Sequence, residues 1–189
     1  ESHYSISRAA GVLGLGADQV IKAPIDEERR LDESKLNEVL DQAQRDGLDV
    51  FCVVGSSCAT PVGAFDRLEP IGKICKERGI WFHVDAAHGG GLLLSQKHRR
   101  LLEGISQADS VTWDAHKMMF VPALCTFLFY RDRAHSFQAF DQDAPYLFDQ
   151  EANSTVDYDS ALRTLECTKR PIASALWAMW CLHGPDAIA

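Results

Sequence analysis

The sequence predicts an α/β chain, a mostly parallel sheet flanked by helices. Three observations carry the prediction. Short apolar runs of strand length occur at residues 50–54, 81–85 and 111–113. Segments with helical spacing of apolar residues lie between them. The last two runs end in a polar turn with a chargeable side chain, Asp85 in one and Lys117 in the other. Parallel strands would bring both to one edge of the sheet, and in open α/β sheets ligands bind at the carboxyl ends of the strands.

Taken in order, the chain opens on polar residues and turns helical, with Ser5 or Ser7 as a candidate cap for a helix to about Leu13. Gly11-Val-Leu-Gly-Leu-Gly16 has no strand before it and lacks phosphate-loop spacing, so it reads as a glycine-rich helix end. Residues 19–23 form a candidate strand closed by Pro24. Asp32 can cap the next helix, in which Leu36, Val39, Leu40 and Ala43 share a face and which Gly47 ends. The strand at 50–54 leads into a loop of small and hydroxyl residues, 55–65, suited to face a ligand. A helix over 68–78, ended by Gly79, precedes the strand that stops at Asp85. A further helix is expected over 96–107, with Leu101, Leu102 and Ile105 inward. The turn that carries Lys117 follows the third strand, and 123–130 reads as a fourth. A long polar stretch at about 140–160 suits a mobile loop. A last helix runs through Leu176, Trp177, Trp180 and Cys181, as core or as a subunit contact.

The length suits one domain, read here as 1–189, and an apolar content of 46% suffices for a core. A net charge of −8 argues against non-specific nucleic-acid binding. No apolar run is long enough to span a bilayer. The six cysteines are scattered, with no Cys-x-x-Cys pair, as expected of buried free thiols in a reducing cytoplasm.

The chemistry concentrates in two stretches, Trp81-Phe-His-Val-Asp-Ala-Ala-His-Gly-Gly-Gly91 and Asp109-Ser-Val-Thr-Trp-Asp-Ala-His-Lys-Met-Met119. A lysine at the rim of a core can be desolvated, and its neutral amine can attack a carbonyl. An aspartate at the end of a buried strand calls for a cationic partner. Together they suit pyridoxal 5′-phosphate, whose aldehyde carbon the lysine binds and whose ring nitrogen the aspartate keeps protonated. A metal is the competing use of His83, Asp85 and His88, but no Cys or His cluster is nearby to complete a tetrahedral site.

These two stretches resemble the group II pyridoxal-phosphate-dependent amino-acid decarboxylases, which include glutamate, cysteine sulfinate, aromatic amino acid and diaminobutyrate enzymes. The resemblance covers nearly all of the chain. It implies the large domain of the type I (aspartate aminotransferase) fold, present here as a central fragment of a longer protein, with residues 123–130 antiparallel to the other strands. It implies α-decarboxylation of an L-amino acid through a Schiff base on Lys117, and a homodimer; the alternatives are another pyridoxal-phosphate reaction on the same fold, an aminotransferase or carbon–sulfur lyase, or a catalytically inactive fragment. By resemblance His3 stacks on the cofactor ring, Ala87 packs on the opposite face and Thr60 contacts the cofactor. Relatives usually carry Gly-Thr-Thr where this chain has Cys58-Ala59-Thr60. His116 touches the phosphate or orients the lysine. Tyr146, 29 residues after Lys117, matches the mobile-loop tyrosine cast as proton donor, with His3 as the alternative. Asp114 departs from the asparagine that many animal relatives have near the phosphate. An acidic or diamino substrate is expected.

Overall fold

A computed structural model describes residues 1–122, 124–140, 158–166 and 168–184. Its sheet has four strands in the order β1 (Cys52–Ser56), β2 (Trp81–Asp85), β3 (Ser110–Asp114) and β4 (Thr126–Tyr130). The first three are parallel, and β4 runs antiparallel to β3. This is the α/β arrangement the sequence implies.

Strand alternation divides the sheet into two unlike faces. Val53, Phe82, Val84 and Val111 point to one face. They meet α2 (Glu33–Arg45) through Leu36 and Leu40, and α3 (Leu68–Arg78) through Leu68, Ile71 and Cys75. Both helices end as their sequences dictate. Asp32 accepts the Ser34 N–H at the start of α2, and Gly79 takes a left-handed conformation (φ 67°) after α3. A second cluster gathers Ala115, Met119, Val121 and Cys125 under Leu176 and Met179 of the C-terminal helix α4 (Ser174–His183), while Trp177 of the same helix stays 70% exposed.

Several boundaries differ from expectation. The helix α1 (Ser5–Val12) starts after Tyr4 with no side-chain cap; Ser7 Oγ instead donates to the Tyr4 carbonyl. The candidate strand at 19–23 does not form: a 3₁₀ turn covers Ala17–Gln19, and 20–23 join no sheet among the described residues. The local pairing falls just beyond, as an Ile25–Leu31 bridge. β1 begins two residues later than the apolar run suggests and carries its pairing to Ser56. The helix expected over 96–107 is replaced by two 3₁₀ turns, Arg99–Leu102 and Ile105–Gln107. Gly104 separates them at φ 87°, so tightly against α3 that a Cβ there would lie 2.4 Å from the Glu69 nitrogen. No α-helix can pass through a left-handed residue pinned in this way.

Candidate functional site

The second face of the sheet is polar where a central sheet would ordinarily be apolar on both sides. In register, Ser56, Asp85 and Thr112 form one row across β1, β2 and β3, and Asp114 pairs with Thr126 one step further on. A cavity of about 330 Å³ opens over these residues. His83, Ala87, His88 and Lys117 also line it, as do Cys58, Ala59 and Thr60 of the loop after β1, and His3, Ser5 and Ile6 of the N-terminal segment.

The walls are set by backbone geometry. After Asp85 the chain turns tightly, with the Gly90 N–H donating to the Ala86 carbonyl (2.8 Å). The Ala87 N–H donates to Asp85 Oδ1 (3.1 Å) and fixes that carboxylate at the strand end. Gly89 lets this turn lie against the loop after β1: its N–H donates to the Ser57 carbonyl (3.1 Å), and an added Cβ would come within 2.7 Å of that oxygen. The loop itself is held at its base by Asp66, whose carboxylate accepts the N–H groups of Ser56 and Leu31, both at 2.7 Å. Burial pushes the Asp66 carboxyl above its ordinary pKa, opposed by those two bonds. Cys58 stands in this loop at φ 72°, a conformation that glycine adopts at no cost. That accounts for the glycine expected at this position in relatives.

Lys117 and Asp85 line the same cavity. The desolvation anticipated for the lysine is not what the structure shows. Its side chain is 33% exposed, and Nζ lies 3.0 Å from Asp114 Oδ2. Thr126 Oγ1 donates to the other oxygen of Asp114 at 2.7 Å. His116 does not line the cavity. Its Nδ1 accepts the Cys125 N–H (3.0 Å), and its Nε2 faces Asp114 at 3.7 Å. His3 Nδ1 lies 2.9 Å from Ser5 Oγ and 3.3 Å from the Ser5 nitrogen. Tyr146 lies outside the described residues.

Ser5, Ile6, Ser56, Thr112, Thr126, His83 and His88 also line the cavity, and the sequence offers the two histidines only as metal ligands. Ser110 Oγ lies 2.7 Å from the His83 Nδ1, and Thr112 Oγ1 lies 3.2 Å from the His83 Nε2. Burial holds the His83 pKa below the ordinary value, partly offset by the Asp85 carboxylate. The missed signal is alternation: polar side chains at every second position of β2 and β3 mark a sheet face that binds something.

The pyridoxal-dependent decarboxylase conserved domain matches residues 1–188. The chain belongs to that family. It is 40% identical over 189 residues to the cysteine sulfinic acid decarboxylase of Mus musculus, covering 100% of this chain and 38% of that protein. It is 38% identical over 189 residues to the acidic amino acid decarboxylase GADL1 of Mus musculus, covering 100% and 34% respectively. The crystal structure of mouse CSAD superposes with a TM-score of 0.91 at 37% identity, over 98% of this chain and 38% of that one. The chain thus spans little more than a third of the length of these relatives.

The residues of the cavity fit the pyridoxal cofactor of the family. An amine and a carboxylate face one space, a methyl side chain and a histidine ring supply flat surfaces, and hydroxyls surround them. The volume is at the lower end of the range for small-ligand sites, about 300–1,000 Å³.

Proposed function

We propose that this chain is the cofactor-bearing part of an amino-acid α-decarboxylase that uses pyridoxal 5′-phosphate and acts on an acidic L-amino acid. One observation carries the reading: Asp85, at the end of β2, and Lys117, in the turn after the neighbouring parallel strand β3, line the same cavity. Family membership supports the reaction class, and the two acidic-substrate relatives support the substrate.

In this reading Lys117 would hold the cofactor through its aldehyde carbon, and Asp85 would keep its ring nitrogen protonated. Bound pyridoxal 5′-phosphate supplies the sink for the electron pair that departing carbon dioxide leaves behind. The Ala87 N–H keeps Asp85 oriented for that task. Ala87 and His3 would pack against the ring, and Thr60 would contact the cofactor; all three line the cavity. His116, anchored by the Cys125 amide, orients the turn that carries Lys117 rather than reaching the phosphate. Tyr146 would supply the proton for Cα, with His3 as the alternative source. The Thr60, His83 and Thr112 side chains exclude bulk water from one wall.

A homodimer accords with the apolar surface left exposed beside the site, where Phe120 is 85% and Leu124 76% accessible. A reducing, cytoplasmic setting accords with the described cysteines, all of them free. Burial pushes the Cys52 thiol up to about 11 and Cys75 up to about 12, which keeps both unreactive.

The test is a product assay with glutamate, aspartate, cysteine sulfinate, diaminobutyrate and aromatic amino acids in the presence of pyridoxal 5′-phosphate. Carbon dioxide and the matching amine from an acidic substrate are expected. A keto acid as the main product would overturn the reaction class. Amine from the aromatic or diamino substrates alone would overturn the substrate.

A further inference from the structure

Asp114 is the last residue of β3 and only 8% exposed, so its carboxylate needs partners. Thr126 Oγ1 donates to Oδ1 (2.7 Å), and the Lys117 ammonium lies against Oδ2 (3.0 Å). His116 stands behind that second oxygen. His116 Nδ1 lies 3.0 Å from the Cys125 nitrogen and 3.2 Å from the Cys125 carbonyl oxygen, so the Cys125 backbone holds the ring with Nε2 3.7 Å from Asp114 Oδ2. The backbone closes the same turn, with the Lys117 N–H donating to the Asp114 carbonyl (3.2 Å).

We propose that Asp114 is a positioning residue: it receives the Lys117 amine whenever that amine is not bonded to the cofactor. The proposal rests on the functional reading above. In that reaction the substrate amine would displace Lys117, which would have to stay close to be re-bonded. The geometry supplies a berth that can be left and reoccupied. When Nζ departs, Thr126 keeps hold of Oδ1 and His116 remains beside Oδ2, so the carboxylate is not orphaned. The pair is also weak enough to part. With a third of the lysine side chain in solvent, it resembles an exposed ion pair more than a buried one. An amide at this position would keep the shape and lose the charge that draws the ammonium back.

The test is competitive acetylation of the cofactor-free protein with acetic anhydride, read lysine by lysine by peptide mass spectrometry. The exposed Lys22 and Lys97 serve as internal references. In Asp114→Asn, labelling of Lys117 relative to the references rises about fivefold, the factor that corresponds to an ion pair of this exposure. Asp114→Glu restores protection at least in part. In the wild type, raising salt from about 0.01 M to 1 M speeds labelling of Lys117, because screening frees the amine. In Asp114→Asn the same change has no such effect. Unchanged Lys117 labelling in a folded Asp114→Asn protein overturns the proposal. Should that variant fail to fold, an absence of salt acceleration in the wild type overturns it instead. Borohydride reduction of the cofactor-loaded protein separates this from the functional reading. A cofactor label at another residue defeats the functional reading itself, whereas a label at Lys117 with unchanged acetylation defeats only the role of Asp114.

Discussion

Replacing Gly89 by alanine tests whether the cavity depends on the close approach of its two backbone walls. Gly89 has an ordinary backbone conformation (φ −88°, ψ −9°), so alanine meets no dihedral penalty. Space is the obstacle. The new Cβ would lie 2.7 Å from the Ser57 carbonyl oxygen, 2.8 Å from Phe65 Cε1 and 2.9 Å from Cys58 Cβ, against an ordinary contact of 3.4–4 Å. One of these atoms is backbone, and the walls must part by about half an ångström, at an overpacking cost of about 1–3 kcal/mol. The Gly89 N–H bond to Ser57 stretches with them, which adds about 0.5–1.5 kcal/mol. The expected loss is therefore about 1.5–4.5 kcal/mol in urea unfolding of the cofactor-free protein, read as a lower midpoint at unchanged slope. Cofactor affinity falls as well, since Ala87 sits on one wall and Thr60 on the other; a misplacement of this size costs turnover about tenfold or more. Gly91→Ala is the control. Its Cβ would first meet the Met119 side chain at 3.4 Å, so stability should change by less than about 0.5 kcal/mol. Equal effects of the two substitutions, or a Gly89→Ala protein within about 0.5 kcal/mol of wild type, would refute the packing argument.

Three further outcomes are expected. Asp85→Ala should lower turnover by about a hundredfold or more, because the cofactor ring loses its counter-ion, and near-normal turnover in steady-state assays would remove Asp85 from the mechanism. For His83, burial lowers the folded-state pKa below 6.5, so the unfolded chain binds the proton more readily, and stability is lost as pH falls from about 6.5 through the folded value. His83→Gln should flatten that part of the curve of unfolding free energy against pH, and an unchanged slope would show that another group titrates there. At Cys58, whose φ of 72° suits glycine, Cys58→Gly should leave the melting temperature unchanged or raise it, whereas Cys58→Ile should destabilise by about 1–2 kcal/mol in thermal unfolding; the reverse order would refute the backbone account.

The parts of the fold that were legible in the sequence are those where one local signal dominates. The helices α2 and α3 carry a clean apolar stripe, a capping Asp32 and a terminal Gly79, and they form where the pattern puts them. β2 ends at Asp85 because its alternation of Phe82 and Val84 with His83 and Asp85 stops there. The region from 96 to 107 misleads because its apolar spacing is helical while Gly104 is committed to a contact with α3 that no local pattern reveals. Within the site, the two motifs led to Asp85 and Lys117, since each is an expensive group at a strand end. The partner of the lysine was not legible. Asp114 was read against a phosphate, but the turn between β3 and Lys117 folds the two side chains of that turn onto one another.

The division of labour across the sheet explains why these chemical groups can occupy strand interiors at all. A polar row such as Ser56, Asp85 and Thr112 lowers the hydrophobic stabilisation available to a parallel sheet, which normally buries both faces. Here the loss is confined to one side. Phe82, Val84, Leu68 and Ile71 on the other are each 1% exposed or less and hold the strands against α2 and α3. The same two-residue period that points Phe82 and Val84 into that core points His83 and Asp85 into the cavity. A slip of one residue in β2 would bury the carboxylate among the leucines and expose the phenylalanine, so the core that stabilises the strand also fixes the register of its chemistry. For this reason the stability of the helix-facing layer and the alignment of Asp85 with Lys117 are not independent properties of the chain.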